Sequence, residues 1–169
     1  MTALYLSSFQ TNIRIDNQGT ARIAGFASAT LQLEPNITLE DVDGSDEFDA
    51  SRWCSPEILH PSGFGLTKAK ATKASDMYAF GMLAYEVSFD FWVTPQRYSI
   101  RTQIFSDRLP FHDSKDTAVV ITVITSDERP PRPTHPELSD KLWELIEKCW
   151  RRDPSQRPAI QEVVKFLEK

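Results

Sequence analysis

The sequence predicts a mainly α-helical fold that is arranged around one buried helix and carries one small β-hairpin. Residues 73–87, KASDMYAFGMLAYEV, place apolar side chains on nearly every face of a helix, which is typical of a helix buried on all sides. Two later segments, 138–150 and 158–167, repeat apolar residues at helical spacing. Residues 12–24 instead alternate apolar and polar side chains, as a half-buried hairpin does.

The predicted central helix has signals for its start and for its packing. Ser75 is placed to cap the N-terminus, and Asp76 falls in the first turn, where the helix dipole favours a negative charge. Gly81 has no side chain, so a neighbouring backbone can approach closely there. We expect this helix to form the centre of the core.

Composition limits the classes of partner. A chain of 169 residues with 40% hydrophobic content can bury one core, and we expect one domain. The formal net charge of −5 argues against nucleic acid or an anionic membrane as the main partner, because both require a basic surface. No signal peptide is evident, and no apolar run approaches the roughly 20 residues of a membrane span. We expect a cytoplasmic protein whose partners are other proteins.

The two cysteines, Cys54 and Cys149, are far apart in sequence and lack the spacing of metal ligands. In a cytoplasmic protein such residues are typically reduced and buried. We therefore expect two buried thiols and no disulfide.

The first half of the chain is predicted to contain little regular structure besides the hairpin. Ile13 and Ile15 define its first strand, and residues 16–19 its turn. Asp16 is expected to act as a turn former. An irregular segment with an acidic run follows at 25–51, and a loop of that length is usually functional or disordered.

A short helix is predicted to open at Pro56, with Glu57 in its first turn. Residues 61–68, PSGFGLTK, form a surface connection, because two glycines without a preceding strand are a weak signal for a phosphate-binding loop. Residues 116–126 are apolar and β-branched; their propensity favours a strand, and their periodicity leaves strand or helix open.

The C-terminal part is predicted to hold two amphipathic helices after a proline-rich connector at 128–136. Ser139 is a plausible cap for the first of them. The second is expected to start at Pro158. Their apolar faces comprise Leu142, Leu145, Ile146 and Cys149 in the first helix and Ile160, Val163, Val164 and Leu167 in the second.

Four segments, in this order, resemble the C-terminal lobe of eukaryotic protein kinases. Within that family, Trp53 and the pair Cys149-Trp150 resemble the residues found in tyrosine kinases and the tyrosine-kinase-like group. The resemblance implies a helical C-lobe around a buried helix, with the N-terminal lobe absent. The four segments are SRWCSPEIL at 51–59, SDMYAFGMLAYE at 75–86, LPF at 109–111 and CWRRDPSQRP at 149–158.

The resemblance also implies structural roles for individual residues. Residues 55–57, Ser-Pro-Glu, stand where the family has Ala-Pro-Glu at the end of its activation segment, so 25–57 is the equivalent of that segment. Asp76 matches the aspartate that starts the family's central helix. Arg157 matches the arginine that pairs with the glutamate of Ala-Pro-Glu, so Glu57 and Arg157 should form a buried pair. Trp53 and Trp150 are expected in the core.

The residues that phosphoryl transfer requires are largely missing. A kinase uses a catalytic-loop aspartate, and it holds magnesium through an asparagine and the aspartate of Asp-Phe-Gly. Asn12 matches that asparagine and is read as a vestigial metal ligand. The next motif reads Gly25-Phe26-Ala27, and the catalytic-loop triplet is matched by Tyr5-Leu6-Ser7. Only eleven residues precede Asn12, so a glycine-rich loop and a strand lysine are absent from this sequence.

These substitutions favour a chain without catalytic residues, which acts by binding proteins. No cofactor is expected; Mg-ATP is implied only by the family. The alternative is a fragment or misassembled product of an active ATP-dependent serine/threonine kinase of the tyrosine-kinase-like group. A third alternative is that the missing N-lobe leaves too much apolar surface in water for a stable fold.

Residues 87–103, VSFDFWVTPQRYSIRTQ, are atypical of the family. Joining Glu86 directly to Ile104 gives an uninterrupted kinase-like sequence, and the segment's first and last residues are compatible with splice-site codons. We therefore interpret 87–103 as a retained in-frame intron. The alternative is a true insertion that packs its aromatic residues on a neighbour.

Overall fold

The computed structural model describes residues 13–18, 20–23, 51–86, 110–115, 118–119, 123, 126–134, 136 and 138–168. The described part is mainly helical with one hairpin, which confirms the predicted fold class. Its strands are β1 (Ile13–Ile15) and β2 (Ala21–Ile23); its helices are α1 (Pro56–Leu59), α2 (Lys73–Glu86), α3 (Asp140–Cys149) and α4 (Ile160–Leu167). Two short 3-10 helices lie at Pro61–Phe64 and Pro154–Gln156.

The hairpin pairs β1 with β2 in antiparallel register, with Ile13 opposite Ile23. The Asp16 carboxylate organises its turn, because it accepts hydrogen bonds from the backbone N–H groups of Gln18 and Thr20, each at 2.9 Å. The Arg22 Nε donates to the same carboxylate at 2.7 Å. The bond from Thr20, followed by those from Arg22 and Gln18, lowers the pKa of Asp16. These contacts agree with its prediction as a turn former.

The central helix α2 is buried along most of its length, as its sequence predicts. Its cap differs from the prediction of Ser75. The Oγ1 of Thr72 accepts from the Ser75 N–H at 3.1 Å, while the Ser75 Oγ accepts from the Thr72 N–H at 2.8 Å. The two hydroxyls therefore form a reciprocal capping pair, and the helix starts at Lys73, before Ser75.

Helix α2 packs directly against α3 at Gly81. A β-carbon placed on Gly81 would lie 3.0 Å from the Cys149 Cβ and 3.3 Å from the Trp150 backbone N. Only glycine permits this approach without displacement of α3. The core around the contact consists mainly of large side chains: Trp53, Tyr78, Met82, Leu83, Tyr85, Leu138, Trp143, Ile146 and Trp150.

The start of α3 is as predicted, since the Ser139 Oγ accepts from the Leu142 N–H at 3.2 Å. The start of α4 is not, because the helix begins at Ile160 and not at Pro158. Proline disfavours helical geometry at the residue before it, and Arg157 is extended with ψ 140°. Ala159 is also extended and serves as the N-cap, with its N–H donating to the Glu162 carboxylate at 3.4 Å.

The strand favoured by propensity at 116–126 is wrong at the positions that the structure describes. Ala118, Val119 and Val123 are helical, and the Val119 N–H donates to the Lys115 carbonyl at 3.0 Å, the spacing of an α-helical turn. Val119 and Val123 are both fully buried. Burial of these two side chains, one helical turn apart, outweighs the local preference for a strand.

The proline-rich connector is irregular over 128–134, as predicted. Among the described residues, no helix is both long enough and apolar enough to cross a membrane.

Candidate functional site

The guanidinium of Arg157 contacts three separate parts of the chain, at Glu57, at Ala74 and at residues 151–152. Its two terminal nitrogens donate to the two Glu57 carboxylate oxygens at 2.6 Å and 2.8 Å, so the pair is bidentate. The remaining N–H groups donate to the backbone carbonyls of Arg151, Ala74 and Arg152. All five guanidinium donors are therefore used. The side chains of Arg157 and Glu57 are 0% and 4% exposed, so solvent screens this pair very little.

Tyr78 lies against the buried pair. The guanidinium carbon of Arg157 is 5.1 Å from the centre of the Tyr78 ring, and that of Arg129 is 5.3 Å from it. Both distances allow cation–π attraction. Within the described part of the chain, the Tyr78 hydroxyl is buried without a hydrogen-bond partner, and burial raises its pKa above the ordinary range. Tyr78 thus contributes packing around Arg157 and offers no acid or base at neutral pH.

A second buried contact links Trp53 to Glu86, at the last residue of α2. The Trp53 indole nitrogen donates to the Glu86 Oε2 at 3.0 Å, and the Glu86 Oε1 has no hydrogen-bond partner among the described residues. Glu86 is 1% exposed. Burial raises the pKa of Glu86 to about 7, and the bond from Trp53 opposes that effect only in part.

Asp76 belongs to α2, and Trp150 is the C-cap of α3, the helix that packs against α2. Asp76 lies half-buried in the first turn of α2. Trp150 is buried at the end of α3 and packs edge-on against Trp143, with ring centres 5.5 Å apart. Its ring also lies 6.0 Å from that of Tyr85. The structure therefore places Trp150 within the aromatic core.

Arg52 is a contact residue that sequence reasoning missed. Its guanidinium donates to the carbonyls of Pro110, Phe111 and Ser114 at 2.7–2.8 Å. Phe111 has a left-handed φ of 55°, so this turn is held in a conformation that non-glycine residues rarely adopt. The partners are backbone carbonyls, which leave no mark on a side-chain pattern. The sole available signal is the position of Arg52 next to Trp53.

The positions matched to the family's metal ligands and catalytic loop lie outside the described residues. These are Asn12, the segment Gly25-Phe26-Ala27 and the triplet Tyr5-Leu6-Ser7. The atypical segment 87–103 also lies outside them. Within the part of the chain that the structure describes, no group of His, Cys, Asp or Glu side chains is arranged to hold a metal ion.

A family model described as protein tyrosine and serine/threonine kinase matches residues 9–167. The chain belongs to this family. The match includes α2 and Glu57, and the assignment of 25–57 as the equivalent of the activation segment stays a prediction. Trp53 contacts Glu86 at the end of α2 directly, whereas Glu57 is linked to the start of α2 through Arg157, which donates to the Ala74 carbonyl.

Three relatives illustrate the range of the family. The chain is 31% identical to the dual specificity protein kinase pyk3 of Dictyostelium discoideum, over 93% of this chain and 9% of the relative. It is 23% identical to the serine/threonine/tyrosine-protein kinase HT1 of Arabidopsis thaliana, over 94% of this chain and 32% of the relative. It is 25% identical to the receptor-type guanylate cyclase gcy-28 of Caenorhabditis elegans, over 93% of this chain and 12% of the relative. The chain thus spans a third or less of each.

Proposed function

We propose that this chain is a kinase-related protein-interaction module that does not transfer phosphate. The main support is the glycine at position 25, which by resemblance to the family stands where the magnesium-binding aspartate of Asp-Phe-Gly is expected. Magnesium in such sites is bound through one or two carboxylates and the substrate phosphates. Glycine has no side chain to replace that carboxylate.

Ser7 supports the proposal independently. It matches the catalytic-loop aspartate that accepts the proton of the substrate hydroxyl. A serine hydroxyl is not a base at neutral pH unless an adjacent group activates it. Two separate steps of phosphoryl transfer, metal binding and proton acceptance, thus lack their usual groups.

The retained scaffold supports a binding role. The bidentate contact between Arg157 and Glu57 and the aromatic packing around Trp150 fix the C-lobe without using either missing carboxylate. A module of this kind presents a defined surface even where the catalytic residues are replaced. The relative gcy-28 is named as a guanylate cyclase, so similarity in this region accompanies more than one named activity.

The alternative is that the chain is a fragment or misassembled product of an active kinase gene. Two observations favour it: the kinase-like continuity of Glu86 with Ile104, and the small share of each kinase relative that the chain spans. Sequencing of transcripts across residues 80–110 tests it. Transcripts that lack 87–103 and encode an upstream glycine-rich loop would support this alternative.

The main test measures phosphotransfer and nucleotide binding by the purified chain. We expect no incorporation of labelled phosphate into generic protein substrates, and the same unfolding midpoint with and without saturating Mg-ATP. A ligand that binds only the folded state would raise that midpoint. Asn12→Ala is the matched variant. Phosphate transfer by the wild-type chain that Asn12→Ala abolishes would refute the proposal.

The binding role needs its own measurement. Proteins retained by the immobilised wild-type chain are quantified beside those retained by an Arg157→Ala chain, whose C-lobe scaffold is destabilised. We expect a defined set of proteins to bind the wild-type chain alone. Equal retention by both would argue against a surface that depends on the folded C-lobe.

A further inference from the structure

The contact between Trp53 and Glu86 holds a carboxyl group in the protein interior with a single hydrogen bond. From the residues that the structure describes, the Glu86 Oε2 accepts one hydrogen bond and its Oε1 accepts none, and the residue is 1% exposed. Glu86 also ends α2, where the helix dipole disfavours a negative charge. A carboxylate left this way is far less stable than a neutral carboxyl group.

No cation among the described residues compensates Glu86. Arg52, on the segment that carries Trp53, donates to three backbone carbonyls. The other charged or titratable groups on neighbouring elements either pair with another residue or lie far from Glu86 along α2. Glu57 pairs with Arg157, His112 with Asp113 and Asp140 with Arg132, while Asp76 and Tyr78 lie two or more turns back along α2.

We infer that Glu86 is a proton-controlled contact: its neutral carboxyl holds the Trp53 segment on the end of α2, and loss of the proton to solvent weakens that hold. The end of the activation segment would then be bound more tightly to the central helix in acid than at neutral pH. The inference does not depend on whether the chain transfers phosphate.

The direction follows from linkage. When the contact opens, the carboxyl returns to water and to its ordinary pKa of 4.5, whereas burial raises its pKa to about 7 in the closed state. The closed state is therefore favoured fully below pH 4.5 and loses stability as the pH rises towards 7. The opening equilibrium should grow about tenfold per pH unit in that window, by roughly 300-fold in total, and level off above pH 7.

The first test follows the Glu86 carboxyl carbon by NMR in the wild-type chain between pH 4 and pH 9. We expect a titration midpoint near 7. A midpoint near 4.5 would overturn the inference. This measurement needs no variant, so it remains decisive if a substitution prevents folding.

The second test measures hydrogen exchange at the Trp53 indole N–H, corrected by the exchange of free tryptophan. In wild type, opening should increase from pH 4.5 to 7 and then level off. Glu86→Gln keeps a hydrogen-bond acceptor but cannot titrate, so its opening should be independent of pH. Glu144→Gln, which removes an exposed carboxylate on α3, should behave like wild type. A pH profile of Glu86→Gln identical to that of wild type would show that another group is responsible.

Discussion

Replacing Arg157 with alanine strands the Glu57 carboxylate in a site where that side chain is 4% exposed. The substitution removes five donated hydrogen bonds, two of them to the carboxylate. Breaking a buried ion pair in this way costs about 3–5 kcal/mol of the free energy of unfolding. Since domains are stabilised by only about 5–15 kcal/mol, Arg157→Ala should remove roughly a fifth or more of the total.

The assay is urea denaturation at pH 7, followed by circular dichroism at 222 nm. If the same variants are unfolded by heat, a loss of about 3–5 kcal/mol in a domain of this size corresponds to a fall of about 6–20 °C in the melting temperature. Asp140→Asn is the control, because it disrupts an ion pair with Arg132 in which the Asp140 side chain is 86% exposed. That variant should lose about 1 kcal/mol or less.

A double variant separates the charge effect from packing. Glu57→Leu combined with Arg157→Met leaves no charge stranded, so it should be more stable than Arg157→Ala alone. The reasoning would be refuted if Arg157→Ala lost no more stability than Asp140→Asn. It would equally fail if the double variant were the least stable of the set.

Three further predictions concern packing, capping and thiol reactivity. Gly81→Val should lower the free energy of unfolding by about 1–3 kcal/mol, because a β-carbon would meet Cys149 at 3.0 Å; unchanged urea denaturation would contradict the close packing of α2 on α3. Ser139→Ala should lose about 1 kcal/mol, because the Leu142 N–H loses its acceptor, whereas Ser139→Asp should retain stability in the same assay. Burial raises the pKa of Cys149 to about 12, so Ellman's reagent should leave it unmodified in the native chain at pH 8 and modify it in urea.

Sequence pattern was most informative where it reflects burial on one helical face. The amphipathic helix α3 and its Ser139 cap follow from local residues alone, because both the cap and the apolar stripe lie within one segment. For the region 116–126, residue propensity gave the wrong prediction of a strand, because β-branched residues favour strands locally. Val119 and Val123 are one helical turn apart and both are buried, and that pairing becomes visible only once the core position of each is known.

The buried contacts of the site were less accessible to sequence reasoning. Glu57 and Arg157 are 100 residues apart, and no local rule brings them together. Family resemblance indicated that pair, but it gave no indication of Arg52 or of the orphaned oxygen of Glu86. The Arg52 contacts depend on backbone acceptors and the Glu86 oxygen depends on burial, and both are properties of the folded chain and not of a residue pattern.

The two buried contacts also define how residues 53–57 lie on the central helix α2. Arg157, the partner of Glu57, contacts the Ala74 carbonyl near the start of α2, whereas Trp53 contacts Glu86 at its end. Twelve helical residues separate these points by about 18 Å. The four residues from Trp53 to Glu57 extend at most about 14 Å, and their long side chains can span the remainder. The segment therefore runs antiparallel to α2, and each contact fixes one end of it.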